Sequence, residues 1–161
     1  MTLASERLAR IGLTLPPVPS PVAAYVPAVR FHDLVFTSGQ VPVVDGRLRA
    51  TGLVGADVDA DEAYVCARVA VLNALAAVAE AAGGVDMIAR IVKMVVYVAA
   101  ASGFTGHPQV ANGASDLLGE IFGRAGEHAR SAVGVASLPL GAPVEVELVA
   151  AVGAQPTIHP L

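Results

Sequence analysis

The sequence predicts an α+β fold in which one mixed β-sheet carries two helices on a single face, in the order β-β-β-α-β-α-β-β. Short runs of β-branched and aromatic residues occupy 24–44 and 131–152, bounded by glycine, proline or aspartate, as strands usually are. Two segments with helical patterning, 59–82 and 107–122, each stop at a glycine. A Val- and Ile-rich run at 88–98 lies between them, and right-handed crossovers around such a strand put both helices on the same side. Nothing is left in the sequence to cover the opposite sheet face, so a second copy of the chain is the expected cover.

Each element has its own signal. Thr2 is placed to cap a short helix over 3–11, with Leu3, Leu8 and Ile11 toward one side, Gly12 as its stop and Pro16-Pro17 beyond. Strands at 25–31 and 34–37, separated by His32-Asp33, read as a hairpin, and a third short strand follows Asp45-Gly46. Asp59 or Asp61 caps a long helix that runs to Ala82, with Asp61 and Glu62 in its first turn. The apolar stretch 63–82 contains Arg68, Asn73 and Glu80, which would be costly in a bilayer, so it reads as a core helix. After the strand at 88–98 come the helix at 107–122 and strands at 131–136 and 144–152. The expected organisation is an N-terminal helical arm at 1–19, one domain at 20–153 and a loosely held tail at 154–161.

Composition points to association. Of 161 residues, 55% are hydrophobic and only 15% charged, more apolar than a single small core requires. The net charge is -4 and the ten Lys and Arg are scattered singly, so no basic footprint for nucleic acid is present. Cys66 is the only cysteine, which excludes an intramolecular disulfide and a multi-cysteine metal cluster. The first residues do not read as a secretory leader, and a reducing cytoplasm with no membrane partner is expected.

Candidate chemistry begins at Arg130, which opens a strand after a loop containing Gly123, Gly126 and His128, with no counter-charge in Ser131–Val135 behind it. A guanidinium at a strand mouth suits a planar carboxylate, and the alternative is an ordinary ion pair with Asp116 or Glu127. Glu145 starts the last strand and Glu147 shares its parity, so both face one side of the sheet. If the last two strands are antiparallel neighbours, Arg130 and Glu145 stand roughly 20 Å apart within one chain. They then share a site only across a subunit boundary; otherwise the acids are solvated strand residues. Ser38-Gly39-Gln40 ends the second strand, where glycine admits a ligand to the backbone and N–H groups can polarise an oxygen, unless the segment is only a turn. No base stands beside Ser38 in a triad-like pattern.

His32, His107, His128 and His159 lack metal-ligand spacing, so no metal is expected, and no phosphate-binding glycine loop occurs. His128, two residues before Arg130, either transfers protons or simply sits in its loop.

Several landmarks share one order. They are Tyr25, thirteen residues before Ser38; Phe36-Thr37-Ser38-Gly39-Gln40-Val41-Pro42; Ile91-Val92-Lys93 with Val96-Tyr97-Val98; and Asn112. Then follow Ala129-Arg130-Ser131, Val133, Val135-Ala136, Leu138-Pro139 and Glu145, fifteen residues after the arginine. Over residues 20–152 this resembles the reactive intermediate deaminase (Rid, YjgF-like) family, some members of which are named endoribonuclease L-PSP. The resemblance implies a chorismate-mutase-like fold assembled as a homotrimer, with sheets packed into a central barrel and three clefts between subunits. It also implies hydrolysis of reactive 2-imino acids and their enamine tautomers to 2-oxo acids and ammonia, without metal or cofactor. Arg130 would clamp the substrate carboxylate and Glu145 of the adjacent subunit would position or activate water. Tyr25, Ser38, Gly39 and Asn112 would shape the pocket, and the backbone of Ala132 would stand in for the family's cysteine.

Departures from the pattern are Ala132 in place of that cysteine, Gly134 in place of a frequent acid, a longer segment at 102–110 and the N-terminal helix. The competing expectations are a non-catalytic binder of small carboxylates such as 2-oxo acids, or a regulatory trimer, and a ribonuclease, which the acidic charge and few aromatics disfavour.

Overall fold

A computed structural model describes residues 2–18 and 24–153; the tail expected at 154–161 lies outside them. Helix α1 (Ala4–Arg10) is followed by strands β1 (Ala28–Phe31) and β2 (Leu34–Thr37) and the short strands β3 (Val43–Val44) and β4 (Arg47–Leu48). Helix α2 (Ala60–Ala82), strand β5 (Ile88–Ala99), helix α3 (His107–Phe122) and strands β6 (Ala129–Val135) and β7 (Val144–Val152) complete the chain. The main sheet has the order β1-β2-β7-β5-β6, with β5 and β6 parallel and every other pair antiparallel.

Three expectations change. The strand expected from Tyr25 begins at Ala28, because Pro27 has no N–H to give a ladder and instead offers its carbonyl to Ser38 N at 2.9 Å. The single strand expected after Asp45-Gly46 is a separate two-stranded ribbon. Asp45 (φ 50°) and Gly46 (φ 77°) both take positive φ, which closes a tight hairpin on the spot. Asn73 of α2 holds the ribbon by donating to the carbonyls of Val41 and Val43 at 2.9 and 3.1 Å. Finally, the first helix is capped at Leu3, not Thr2, because the Glu6 carboxylate reaches back to accept Leu3 N–H at 3.0 Å. Ser5 ties α1 to Asp86 through its N–H and hydroxyl at 2.9 and 2.7 Å, and Leu8 is buried in the common core.

Asp59 caps α2 by accepting Glu62 N–H at 2.8 Å, and Gly83 ends it in the left-handed conformation. Among the described residues α2 is the one helix long and apolar enough to cross a membrane, but it is packed into the core through Ala63, Cys66, Ala67, Ala70, Val71 and Ala74. Desolvation in that core pushes the Cys66 thiol up to about 11. The two long helices touch at Gly113, where any Cβ would overlap the Tyr64 carbonyl oxygen, so their backbones are in direct contact.

Strand β7 shows how the sheet faces differ. Val144, Val146, Leu148, Ala150 and Val152 are buried under the helices, while the alternate residues Glu145, Glu147, Val149 and Ala151 are half-buried on the other face. Register carries that second face across the sheet, since Phe36 pairs with Val149, Val29 with Phe36, and Val133 with Tyr97, the partner of Glu145. Val29, Phe31, Phe36 and Val133 on this uncovered face are 54%, 65%, 42% and 43% exposed.

Candidate functional site

Arg130 is paired with Met94 on the parallel β5–β6 ladder, and Met94 is buried beneath the helices. Arg130 therefore sits on the helix-bearing face, at the sheet edge formed by β6. Helix α3 passes beside it, and Asn112 and Ser115, three residues apart, share one face of that helix. Arg130 Nη1 donates to Asn112 Oδ1 at 2.8 Å and to Ser115 Oγ at 3.0 Å. Both Nη1 hydrogens are thereby used, and the Nε/Nη2 edge keeps two parallel donors with no protein acceptor among the described residues. That edge is the fork a carboxylate occupies bidentately.

No acid among the described residues pairs with this charge. Among the described residues the ion pairs are Arg49–Glu62 and Arg68–Glu120, and Asp116 is occupied by the Tyr64 hydroxyl at 2.8 Å. The ion pair of Arg130 with Asp116 or Glu127, allowed by the sequence, is not formed. Instead the chain of contacts continues to His128, whose Nε2 lies 3.1 Å from Ser115 Oγ and whose Nδ1 meets the Gly126 carbonyl. A carbonyl only accepts, so Nδ1 carries the imidazole proton and Nε2 accepts the Ser115 hydroxyl. Arg130, Ser115 and His128 line an open depression of ≈ 360 Å³ at this edge. Ser115 was not legible as a site residue; its signal was its position one turn beyond Asn112.

A second group assembles around Glu145. The carboxylate lies directly on Gly39, where any Cβ would overlap Oε1, so glycine is required for the approach. Gln40 bridges to Val146 by paired 2.9 Å backbone bonds, which locks the 38–40 segment beside the start of β7. Ser38 N–H is given to the Pro27 carbonyl and its hydroxyl to the Val26 carbonyl at 2.7 Å, leaving Gly39 N–H as the donor of this corner without a partner among the described residues. Tyr25, next in the chain to Val26, is exposed. Burial, and then the neighbouring charge of Glu147, raise the Glu145 carboxyl above the ordinary range. Glu147 itself accepts from the Tyr97 hydroxyl at 3.2 Å.

The structure thus gathers Arg130 with Asn112, and Glu145 with Gly39 beside Ser38, but keeps the two groups apart. Strand β5 stands between β6 and β7, so the last two strands are antiparallel in direction without being neighbours. Register places Arg130 opposite Met94 and Glu145 opposite Tyr97, on opposite faces, with their Cα atoms about 14 Å apart by strand geometry, less than adjacent strands implied.

Beyond Arg130 on the same face of β6 come Ala132, partly buried against the core, and Gly134. A Cβ at Gly134 would stand 2.6 Å from His107 Nε2, so the imidazole fills the place a side chain there would take. His107 packs edge-on against Phe104, at 5.3 Å between ring centroids. The Phe104 ring in turn closes over Gly55 and Gly106, where Cβ atoms would lie 2.9 and 2.7 Å from it. The 102–110 segment and the glycine at 134 are therefore parts of one packing arrangement.

Among the described residues no three His, Cys, Asp or Glu side chains converge as a metal site requires.

The chain is similar to known proteins over most of its length. The family model described as "YjgF/chorismate_mutase-like, putative endoribonuclease" matches residues 5–152. Protein TCP17 of Trypanosoma cruzi is 41% identical over 144 residues, covering 89% of this chain and 90% of that protein. The crystal structure of Atu1372 from Agrobacterium tumefaciens, a protein of unknown function, aligns with a TM-score of 0.85 at 38% identity over 93% of this chain and 92% of that one. Escherichia coli TdcF, solved with bound serine, aligns with a TM-score of 0.61 at 27% identity over 84% of this chain and 94% of that one. With a family model spanning nearly all of the described domain and relatives matched over most of their length, the chain belongs to the YjgF/chorismate-mutase-like family.

Proposed function

We propose that the protein hydrolyses reactive 2-imino acids, and their enamine tautomers, to 2-oxo acids and ammonia in clefts between the subunits of a homotrimer. The observation that carries this reading is the Arg130 fork: a guanidinium fixed by Asn112 and Ser115, facing an open depression, with no carboxylate partner among the described residues. Such a fork binds the carboxylate of a small 2-imino acid and leaves C2 beside it for attack. An imine carbon is already electrophilic, so a held water and a carboxylate base suffice. Glu145, raised in pKa and half-buried on the uncovered face, is suited to that base role.

The same arrangement supports the trimer of this reading. Each chain carries the arginine half on one face and the glutamate half on the other, and the glutamate face bears the exposed apolar residues Val29, Phe31 and Phe36. Packing that face against a second copy covers the apolar surface and offers the partner's Glu145, with Tyr25 and Gly39, to an Arg130.

A second reading is a trimer that binds small carboxylates without turnover. It is favoured by the serine bound in TdcF and by Ala132 and Gly134, the two departures from the pattern the resemblance implies. A ribonuclease role has less support, given the net charge of -4.

The test is release of ammonia and 2-oxobutanoate from 2-iminobutanoate generated in place by a threonine dehydratase. Acceleration over spontaneous hydrolysis that vanishes in Arg130→Ala supports the deaminase. No acceleration, with Arg130-dependent binding of 2-oxobutanoate, supports the binder.

A further inference from the structure

The contacts around Ser115 go beyond what is needed to hold Arg130. Asn112 alone would anchor one Nη1 hydrogen, yet the second goes to a hydroxyl whose own proton is directed at a ring nitrogen. The imidazole is oriented from behind by the Gly126 carbonyl, which selects the tautomer with an accepting Nε2. Gly126 is buried in the short turn that follows α3, where a Cβ would overlap the Leu118 carbonyl oxygen, so its own carbonyl is held on a closely packed turn. The hydroxyl, the ring and the guanidinium all border one open depression. This is the geometry of a base, an orienter and a relaying hydroxyl placed next to a substrate anchor.

We infer that Ser115 and His128 form a proton relay for the second half of the hydrolysis, an inference that rests on the deaminase reading of the Arg130 site. Water adds to the imine carbon and gives a carbinolamine, with hydroxyl and amino groups on C2 and the carboxylate on Arg130. To collapse, this intermediate must lose the hydroxyl proton and gain a proton on nitrogen. Ser115 Oγ accepts the carbinolamine O–H proton as its own hydrogen passes to His128 Nε2. The imidazolium then returns a proton through Ser115 to the amino nitrogen, the C–N bond breaks, its electron pair leaves with ammonia, and the carbon–oxygen bond becomes a carbonyl. Both residues end in their starting forms, so the relay moves one proton from oxygen to nitrogen and consumes none. Glu145 serves the addition of water and the relay serves the expulsion of ammonia, a division that explains why both sides of the cleft carry proton-active groups.

The experiment measures kcat and KM for 2-iminobutanoate hydrolysis in wild type, Ser115→Ala, Ser115→Thr, His128→Ala and Asn112→Ala. Ser115→Ala and His128→Ala are expected to lose kcat by on the order of 10²-fold with little change in KM, the range of a lost acid–base group. Ser115→Thr keeps the hydroxyl and is expected to retain most of kcat. Asn112→Ala loses only an anchor of Arg130 and is expected to act mainly on KM. If Ser115→Ala behaves like Asn112→Ala, the hydroxyl only orients the arginine and the relay is wrong. Full kcat in His128→Ala also overturns it. Absence of Arg130-dependent turnover in the wild type overturns the relay together with the deaminase reading, whereas Arg130-dependent turnover indifferent to Ser115 overturns the relay alone.

Discussion

Arg130 and Glu145 stand on opposite faces of one sheet, paired through register with Met94 and Tyr97 of the strand that separates them. No rotamer change brings the two charges together within a chain, because the sheet itself lies between them. Any reaction needing both must draw them from different subunits, and each prediction below tests a piece of that arrangement.

Gly39→Ala should remove activity while leaving the fold intact. The added methyl overlaps Glu145 Oε1 at the end of a flexible side chain, so the carboxylate moves and the backbone need not. Circular dichroism unchanged from wild type, with kcat/KM reduced by on the order of 10²-fold, is the expected pair of results.

Gly113→Ala should do the reverse. Here the methyl meets the Tyr64 carbonyl, backbone against backbone, and the two helices must separate. Overpacking of this kind costs about 1–3 kcal/mol, read as a lower denaturant midpoint with unchanged m-value.

Glu145 gives a pH-dependent stability. Its folded-state carboxyl is raised, first by burial and then by Glu147. Between the ordinary carboxylate value and the raised one the folded state holds more protons than the unfolded state, so stability falls as pH rises through that window and the cost persists above it. Glu145→Gln should therefore raise Tm at neutral pH, and the gain should disappear as pH falls to about 4, near the unfolded value.

Glu147→Gln should shift the activity profile. Removing the like charge lowers the Glu145 carboxyl toward its usual range, and the base works ionised. The acid limb of kcat/KM should move to lower pH, with the alkaline limb unchanged.

Local signals made much of this readable in the sequence. Helix α3 stops at its glycine, β2 begins after the His32-Asp33 turn, β7 spans the expected 144–152, and Asp59 caps α2 as its side chain permits. The resemblance put Arg130, Asn112, Gly39 and Glu145 around one pocket, and within the chain Arg130 contacts Asn112 and Glu145 contacts Gly39. What was not readable depends on pairing at long range. The insertion of β5 between β6 and β7 leaves no mark in either strand, and the β3–β4 ribbon breaks from the sheet because Asp45 and Gly46 turn the chain too soon. Ser115 is an unremarked helix residue until His128 is folded against it from the next loop. The filling of the Gly134 notch by His107 likewise exists only in the folded chain.

The shared site is tested most directly by co-expressing Arg130→Ala and Glu145→Gln chains with separate tags and assaying the mixed assemblies, each parent being inactive. In a ring of three where every cleft takes its arginine from one subunit and its glutamate from the next, random equal mixing restores about a quarter of the clefts. Recovery near that fraction, confined to species carrying both tags, is the predicted result. Mixed species no more active than either parent would contradict a site built from two chains.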